Sequence, residues 1–135
     1  MRRIIPLVLA VSAGCGSDAT MQPPAGKMVG TWNLQTINGQ PLPYTDPQAS
    51  GYKFETLNNT VTMDPRGLYR SRGQYRVTTN GRPTTYATAD SGTYALDEPQ
   101  LVIVSMATGE TQVGTVSGKT LTFAAPGHTF VLTKK

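Results

Sequence analysis

Arg66, Arg70, Arg72, Arg76 and Arg82 lie close together, and no acidic residue falls between Asp64 and Asp90. Guanidinium groups in such a run can form an anion site, because their planar forks take phosphate or carboxylate bidentately. On an uninterrupted strand Arg70, Arg72 and Arg76 share one face, and Tyr69, Tyr75 and Val77 share the other. Two arrangements fit this pattern. In one, a solvated arginine face lies outside a tyrosine-lined interior, and the charges blunt a strand edge against aggregation. In the other, Arg70, Arg72 and Arg76 act with Tyr69 and Tyr75 as a ligand or anion site. That site is either a basic stripe facing lipid phosphates or a single arginine turned inward by a bulge at Gly73.

The remaining chemistry-bearing residues are sparse. One Cys and one His exclude a disulfide framework, a Cys/His zinc site and any nucleophilic triad not built on His128. His128 follows Pro126-Gly127 and reads as a turn-exposed side chain. Asp97-Glu98, Asp64, Asp90 and Glu110 sit at apparent turns, where carboxylates satisfy local backbone donors, and they lack the spacing of a calcium loop. The six tyrosines at 44, 52, 69, 75, 86 and 94 suit either a cavity lining or a core with hydroxyls satisfied at its rim. No glycine-rich phosphate loop and no nucleophile elbow is present. The expectation is a protein that is not an enzyme and needs neither metal nor cofactor.

The amino terminus has a different character. Arg2 and Arg3 precede the apolar run 4–11 (IIPLVLAV), then Ser12, Ala13, Gly14 and Cys15. This is the layout of a secretory signal, too short to span a bilayer. The run VSAGC resembles the bacterial lipobox, with Ser12 where leucine is usual. The resemblance implies a signal peptide over 1–14, a diacylated Cys15 as the mature first residue, and a membrane anchor. Gly16 after the cysteine, rather than Asp, implies the outer membrane over the inner one in a Gram-negative envelope. Residues 16–27 (GSDATMQPPAGK) have no apolar period, so 15–27 reads as the lipidated cysteine and a flexible tether. The whole chain of 135 residues carries a formal +4, but removing Arg2 and Arg3 leaves ten basic against eight acidic residues. Nucleic acid is therefore not an expected partner.

From Met28 onward the elements that must position these side chains are strands. Thr occurs 20 times, favouring strands over helices. Alternating runs occupy 28–37, 51–57, 60–64, 67–78, 84–89, 92–97, 100–106, 111–116, 119–124 and 128–133. They are separated by turn signals such as Asn38-Gly39, Asn58-Asn59, Asn80-Gly81, Asp90-Ser91-Gly92 and Ser117-Gly118. Short strands with short connections make an all-β antiparallel meander, a sandwich or barrel, over 28–135. Trp32 and Leu34, Tyr94 and Leu96, Leu121 and Phe123, and Phe130 and Leu132 mark the inner face. Residues 101–104 (LVIV) need cover on both sides or form a rim.

GTWNLQTINGQPLPY at 30–44 resembles the opening of lipocalin-like small bacterial lipoproteins. SGTYALD at 91–97, VGTVSGKTLTFA at 113–124 and HTFVLTKK at 128–135 agree with it. The resemblance implies a calycin-type barrel of about eight to ten strands and envelope location. It also implies that Gly30 and Trp32 form the plug of one barrel end. Lys134 or Lys135 would pack over the tryptophan by cation–π contact. The arginine-x-tyrosine pair with which fatty-acid-binding barrels hold a carboxylate has no counterpart in 128–135.

Two functional classes follow. One is an anchored binding module whose barrel holds a small apolar or amphipathic ligand near the membrane. The other is a filled barrel acting as a structural, protein-interaction or inhibitor module. The volume of the interior cavity separates them, together with whether an arginine points into it.

Overall fold

The computed structural model describes residues 26–47 and 49–135. The signal segment, Cys15 and nearly all of the expected tether lie outside these residues. Among the described residues, ten strands form one antiparallel sheet. They are β1 (Gly30–Ile37), β2 (Gln40–Pro41), β3 (Tyr44–Thr45), β4 (Lys53–Met63), β5 (Leu68–Thr79), β6 (Arg82–Asp97), β7 (Gln100–Ser105), β8 (Thr111–Ser117), β9 (Thr120–Ala125) and β10 (His128–Lys134). The spatial order is β2-β1-β10-β9-β8-β7-β6-β5-β4-β3. β1 also pairs with β4, Gly30 opposite Met63 and Asn33 opposite Thr60, which closes eight strands into a barrel. The two-residue strands β2 and β3 are additions at its rim.

The predicted inner face is the observed one. Leu121 pairs with Leu132 and Phe123 with Phe130. Trp32, Leu34, Ile37, Met63, Leu101, Leu121 and Leu132 are buried together. The 101–104 run is split: Leu101 is fully buried and Ile103 packs on the core, while Val102 and Val104 are half-buried. Asn38-Gly39 and Asn80-Gly81 turn tightly with positive φ at both residues, 54° and 78° in the first and 54° and 76° in the second. That backbone matches the twist of a two-residue hairpin.

Two expected turns are not turns. Asn58-Asn59 lies inside the eleven-residue β4, where the register with β5 shifts between Thr56 and Asn58. The asparagines mark a bulge, which admits an extra residue without ending the strand. Asp90-Ser91-Gly92 lies inside the sixteen-residue β6. Gly92 is there for proximity rather than for a turn: a Cβ on it would stand 1.9 Å from the Val104 carbonyl oxygen and 2.8 Å from the Tyr69 ring. β6 pairs with β5 over Arg82–Thr93 but with β7 only over Gly92–Asp97. The β5–β6 hairpin therefore projects past the barrel wall.

Candidate functional site

The barrel has one fastened end. A 3-10 turn, Gly26–Met28, lies across it and begins two residues before the expected domain boundary. Trp32 is fully buried, and its indole N–H donates to the Met28 carbonyl at 3.0 Å. Lys134 stands opposite Trp32 in the β1–β10 register. Its ammonium donates to the Lys27 carbonyl at 2.9 Å, and its stem passes so close to Gly30 that a Cβ there would lie 3.0 Å from Lys134 Cε. Gly30, with φ of 135°, is the residue that such a backbone and such an approach require. Lysine and glycine meet at the plug, where the Lys134 ammonium donates to a backbone carbonyl of the 3-10 turn. Lys27 also pairs with Glu98 in the turn between β6 and β7.

Toward the other end the interior opens into a cavity of about 600 Å³. Its walls include apolar Leu34, Val61, Ile103, Phe123 and Leu132. Polar groups interrupt them. Tyr69 on β5 donates its hydroxyl to Asp90 Oδ2 at 2.9 Å, and Ser105 on β7 donates to Asp90 Oδ1 at 2.8 Å. All three line the cavity. Burial, and then Asp90, push the Tyr69 phenol up to about 12, so it remains a donor. Asp90 stays below the usual carboxylate range: burial opposes ionisation, but the Ser105 and Tyr69 hydroxyls and the Ser91 backbone stabilise the anion.

Nearer the mouth, three rings stack across adjacent strands. Phe54 on β4 lies 5.0 Å from Tyr75 on β5, and Tyr75 lies 5.2 Å from Tyr86 on β6, with interplanar angles of 21° and 20°. Phe54 and Tyr75 line the cavity. His128, expected as a turn-exposed side chain, is half-buried. It stacks on Phe130 at 5.9 Å and meets Asp46 at 3.6 Å, because the short β3 segment folds beside it.

The structure divides the five residues proposed as one ligand or anion site. Tyr69 and Tyr75 face the cavity, whereas Arg70, Arg72 and Arg76 lie on the outer face of β5. Gly73 is buried within the regular strand pairing and turns no arginine inward. Arg76 is engaged by Glu55, at 2.9 Å and 3.1 Å through two guanidinium nitrogens. Glu55 is 6% exposed, and the Arg76 hydrogen bond foremost holds its carboxyl below the ordinary range. Arg66 pairs with Asp64 in the β4–β5 turn. Arg70 and Arg72 are exposed and flanked in register by Thr62 and Ser91, and by Thr60 and Ala89.

Asp90 and Ser105 were missed as site residues because Asp90-Ser91-Gly92 reads as a turn. A signal existed. Residues 86, 88, 90, 92, 94 and 96 keep one parity, and that parity includes the inward Tyr94 and Leu96. Among the described residues, no group of three or more His, Cys, Asp or Glu is placed to hold a metal ion, and no helix is long and apolar enough to cross a membrane.

A search of curated proteins returned no match. A family model described as a lipocalin-like domain matches residues 28–123, from the buried end of the 3-10 turn through most of β9. With an eight-stranded antiparallel barrel, a tryptophan-plugged end and an opposite cavity, the chain belongs to the lipocalin-like domain family.

Proposed function

We propose that the barrel binds a small apolar or amphipathic ligand, and that the mature protein does so at a bacterial envelope membrane, anchored through a diacylated Cys15. The observation that carries the binding role is the cavity of about 600 Å³. That volume falls within the range of small-molecule sites, and its lining is the mixture they use: apolar walls with a few convergent polar groups. A barrel packed solid with its own side chains, the alternative reading, leaves no such space. The role is non-enzymatic binding, in keeping with a family whose members are typically binding proteins.

The anchor reading rests on the VSAGC run behind an apolar segment. Two acyl chains give stable attachment where one is marginal, and Gly16 favours the outer membrane. The test of binding is uptake of a neutral polarity-sensitive dye by the full chain, repeated with Ser71→Trp, whose bulk enters the cavity. Saturable uptake lost in Ser71→Trp supports the reading, and no uptake by the parent overturns it. The test of anchoring is fractionation of Cys15→Ser, which is expected in the soluble fraction. A membrane-bound Ser variant overturns the anchor.

A further inference from the structure

The charges inside the barrel have one sign. Asp90 and Glu110 line the cavity, and no Lys, Arg or His is among the described residues that line it. Asp90 is the deeper of the two, half-buried on β6, while Glu110 is exposed in the loop before β8. The two side-chain donors that hold Asp90 are neutral hydroxyls, one on each oxygen. They orient the carboxylate and leave its negative charge uncompensated. The carboxylates that the structure pairs with Lys or Arg do not line the cavity: Glu55 with Arg76 and Lys53, Asp64 with Arg66, and Glu98 with Lys27.

The hydrogen bonds to Asp90 keep it ionised with no Lys or Arg paired to it among the described residues, so a ligand ammonium entering the cavity would supply the counter-charge. A carboxylate has about four lone-pair sites, so the Tyr69 and Ser105 hydroxyls and the Ser91 backbone N–H leave room for about one further donor from a ligand. The arginines that could have neutralised it, Arg70 and Arg72, alternate with Tyr69 and Ser71 and face away. Nearer the mouth, the Phe54–Tyr75 stack adds aromatic surface to the cavity lining for the apolar body of a ligand.

We propose that the cavity selects an amphipathic amine, its ammonium group on Asp90 and its apolar body against the aromatic and aliphatic wall, and that it discriminates against fatty acids of the same length. This rests on the ligand-binding role proposed above and names the ligand class. A ligand carboxylate in the same pose would meet Asp90 and Glu110 with like charge and no cation to receive it. A neutral alcohol would hydrogen-bond to Asp90 without the charge-assisted gain.

The experiment is displacement of a neutral polarity-sensitive dye from the full chain, at neutral pH, by decylamine, decanol and decanoic acid. The amine is expected to displace the dye at ~10-fold lower concentration than the alcohol, the worth of one added charge-assisted contact. The acid is expected to be the weakest of the three. Asp90→Asn should bring amine and alcohol within about threefold, each midpoint corrected for the variant's own dye affinity. Equal or tighter binding of the acid by the parent chain overturns the proposal, and so does an Asp90→Asn protein that keeps the amine preference. The comparison on the parent chain needs no variant, so it decides even where Asp90→Asn loses its β-sheet circular dichroism. Failure of the dye itself to bind removes the cavity-ligand role, whereas dye binding with the wrong charge order removes only the amine.

Discussion

The two ends of the barrel treat their polar groups in opposite ways. At the fastened end donors and acceptors meet within the chain: Trp32 to Met28, Lys134 to Lys27, and Tyr94 to the Asp64 carbonyl at 2.6 Å. At the open end Asp90 keeps its charge uncompensated, and the Phe54–Tyr75–Tyr86 stack ends on a ring that is 46% exposed. The contrast separates stability from recognition within one sheet. Groups satisfied internally hold the barrel shut, while groups left with spare capacity can be completed from outside. Substitutions at the two ends should accordingly differ in what they damage.

The largest effect belongs to the fastened end. Trp32→Ala should cost ~3–5 kcal/mol, the usual range for truncating a large buried aromatic. It removes core volume and strands the Met28 carbonyl. Urea unfolding followed by circular dichroism checks this, and a loss under about 1 kcal/mol would mean that the plug is not what closes the barrel. Next comes Gly92→Ala, where the new Cβ would press on the Val104 carbonyl and the Tyr69 ring. Overpacking of this kind costs roughly 1–3 kcal/mol. Because Tyr69 is displaced, dye or amine affinity should also fall. That dual effect is the signature of a residue between the two ends, and an unchanged affinity would break it.

The fold was largely legible in the sequence because alternation and turn chemistry are local. Asn80-Gly81 dictates its hairpin through positive φ, and Leu121, Phe123, Phe130 and Leu132 fall in register as their spacing requires. The cavity was less legible. Asp90-Ser91-Gly92 and Asn58-Asn59 carry the composition of turns, and only the long-range pairing of β6 with β5 and of β4 with β5 overrides it. The empty volume itself follows from shear and strand number, quantities that depend on the whole barrel. The arginine face followed from parity alone, but the Glu55 partner that distinguishes Arg76 from Arg70 and Arg72 depends on cross-strand register. Charge counting does not supply that.

That distinction gives a smaller, pH-resolved effect. Glu55 binds its proton less tightly folded than unfolded, chiefly because Arg76 hydrogen-bonds its anion. A depressed folded pKa contributes stability that is fully present above the ordinary carboxylate range and is lost as pH falls through the folded value. The parent should therefore lose stability between about pH 5 and pH 3 more steeply than Arg76→Gln does. Asp64 and Asp90 are depressed in both proteins and act in the same direction, so the difference between the two urea series isolates Glu55. Parallel pH profiles would show that the pair is not felt in solution.

The smallest stability effect is expected from the outer arginines that lack such a partner. Arg70 and Arg72 project from β5 between threonine, serine and alanine neighbours, and neither is among the ion pairs seen in the described residues. Replacing both by Gln should change stability by no more than about 0.5 kcal/mol, as surface substitutions usually do. Dye uptake should be untouched, because the cavity lies on the other side of the strand. If this stripe faces lipid phosphates when the protein is tethered, the double variant should bind anionic vesicles more weakly than the parent. The parent's own binding should fade as salt shortens the Debye length to a few ångströms. Neutral vesicles serve as the control. A double variant that loses dye uptake would place these arginines in contact with the cavity and break the division between outer charge and inner site. One that binds anionic vesicles as well as the parent would leave the stripe as a solvated face, with the lipid anchor as the only membrane contact.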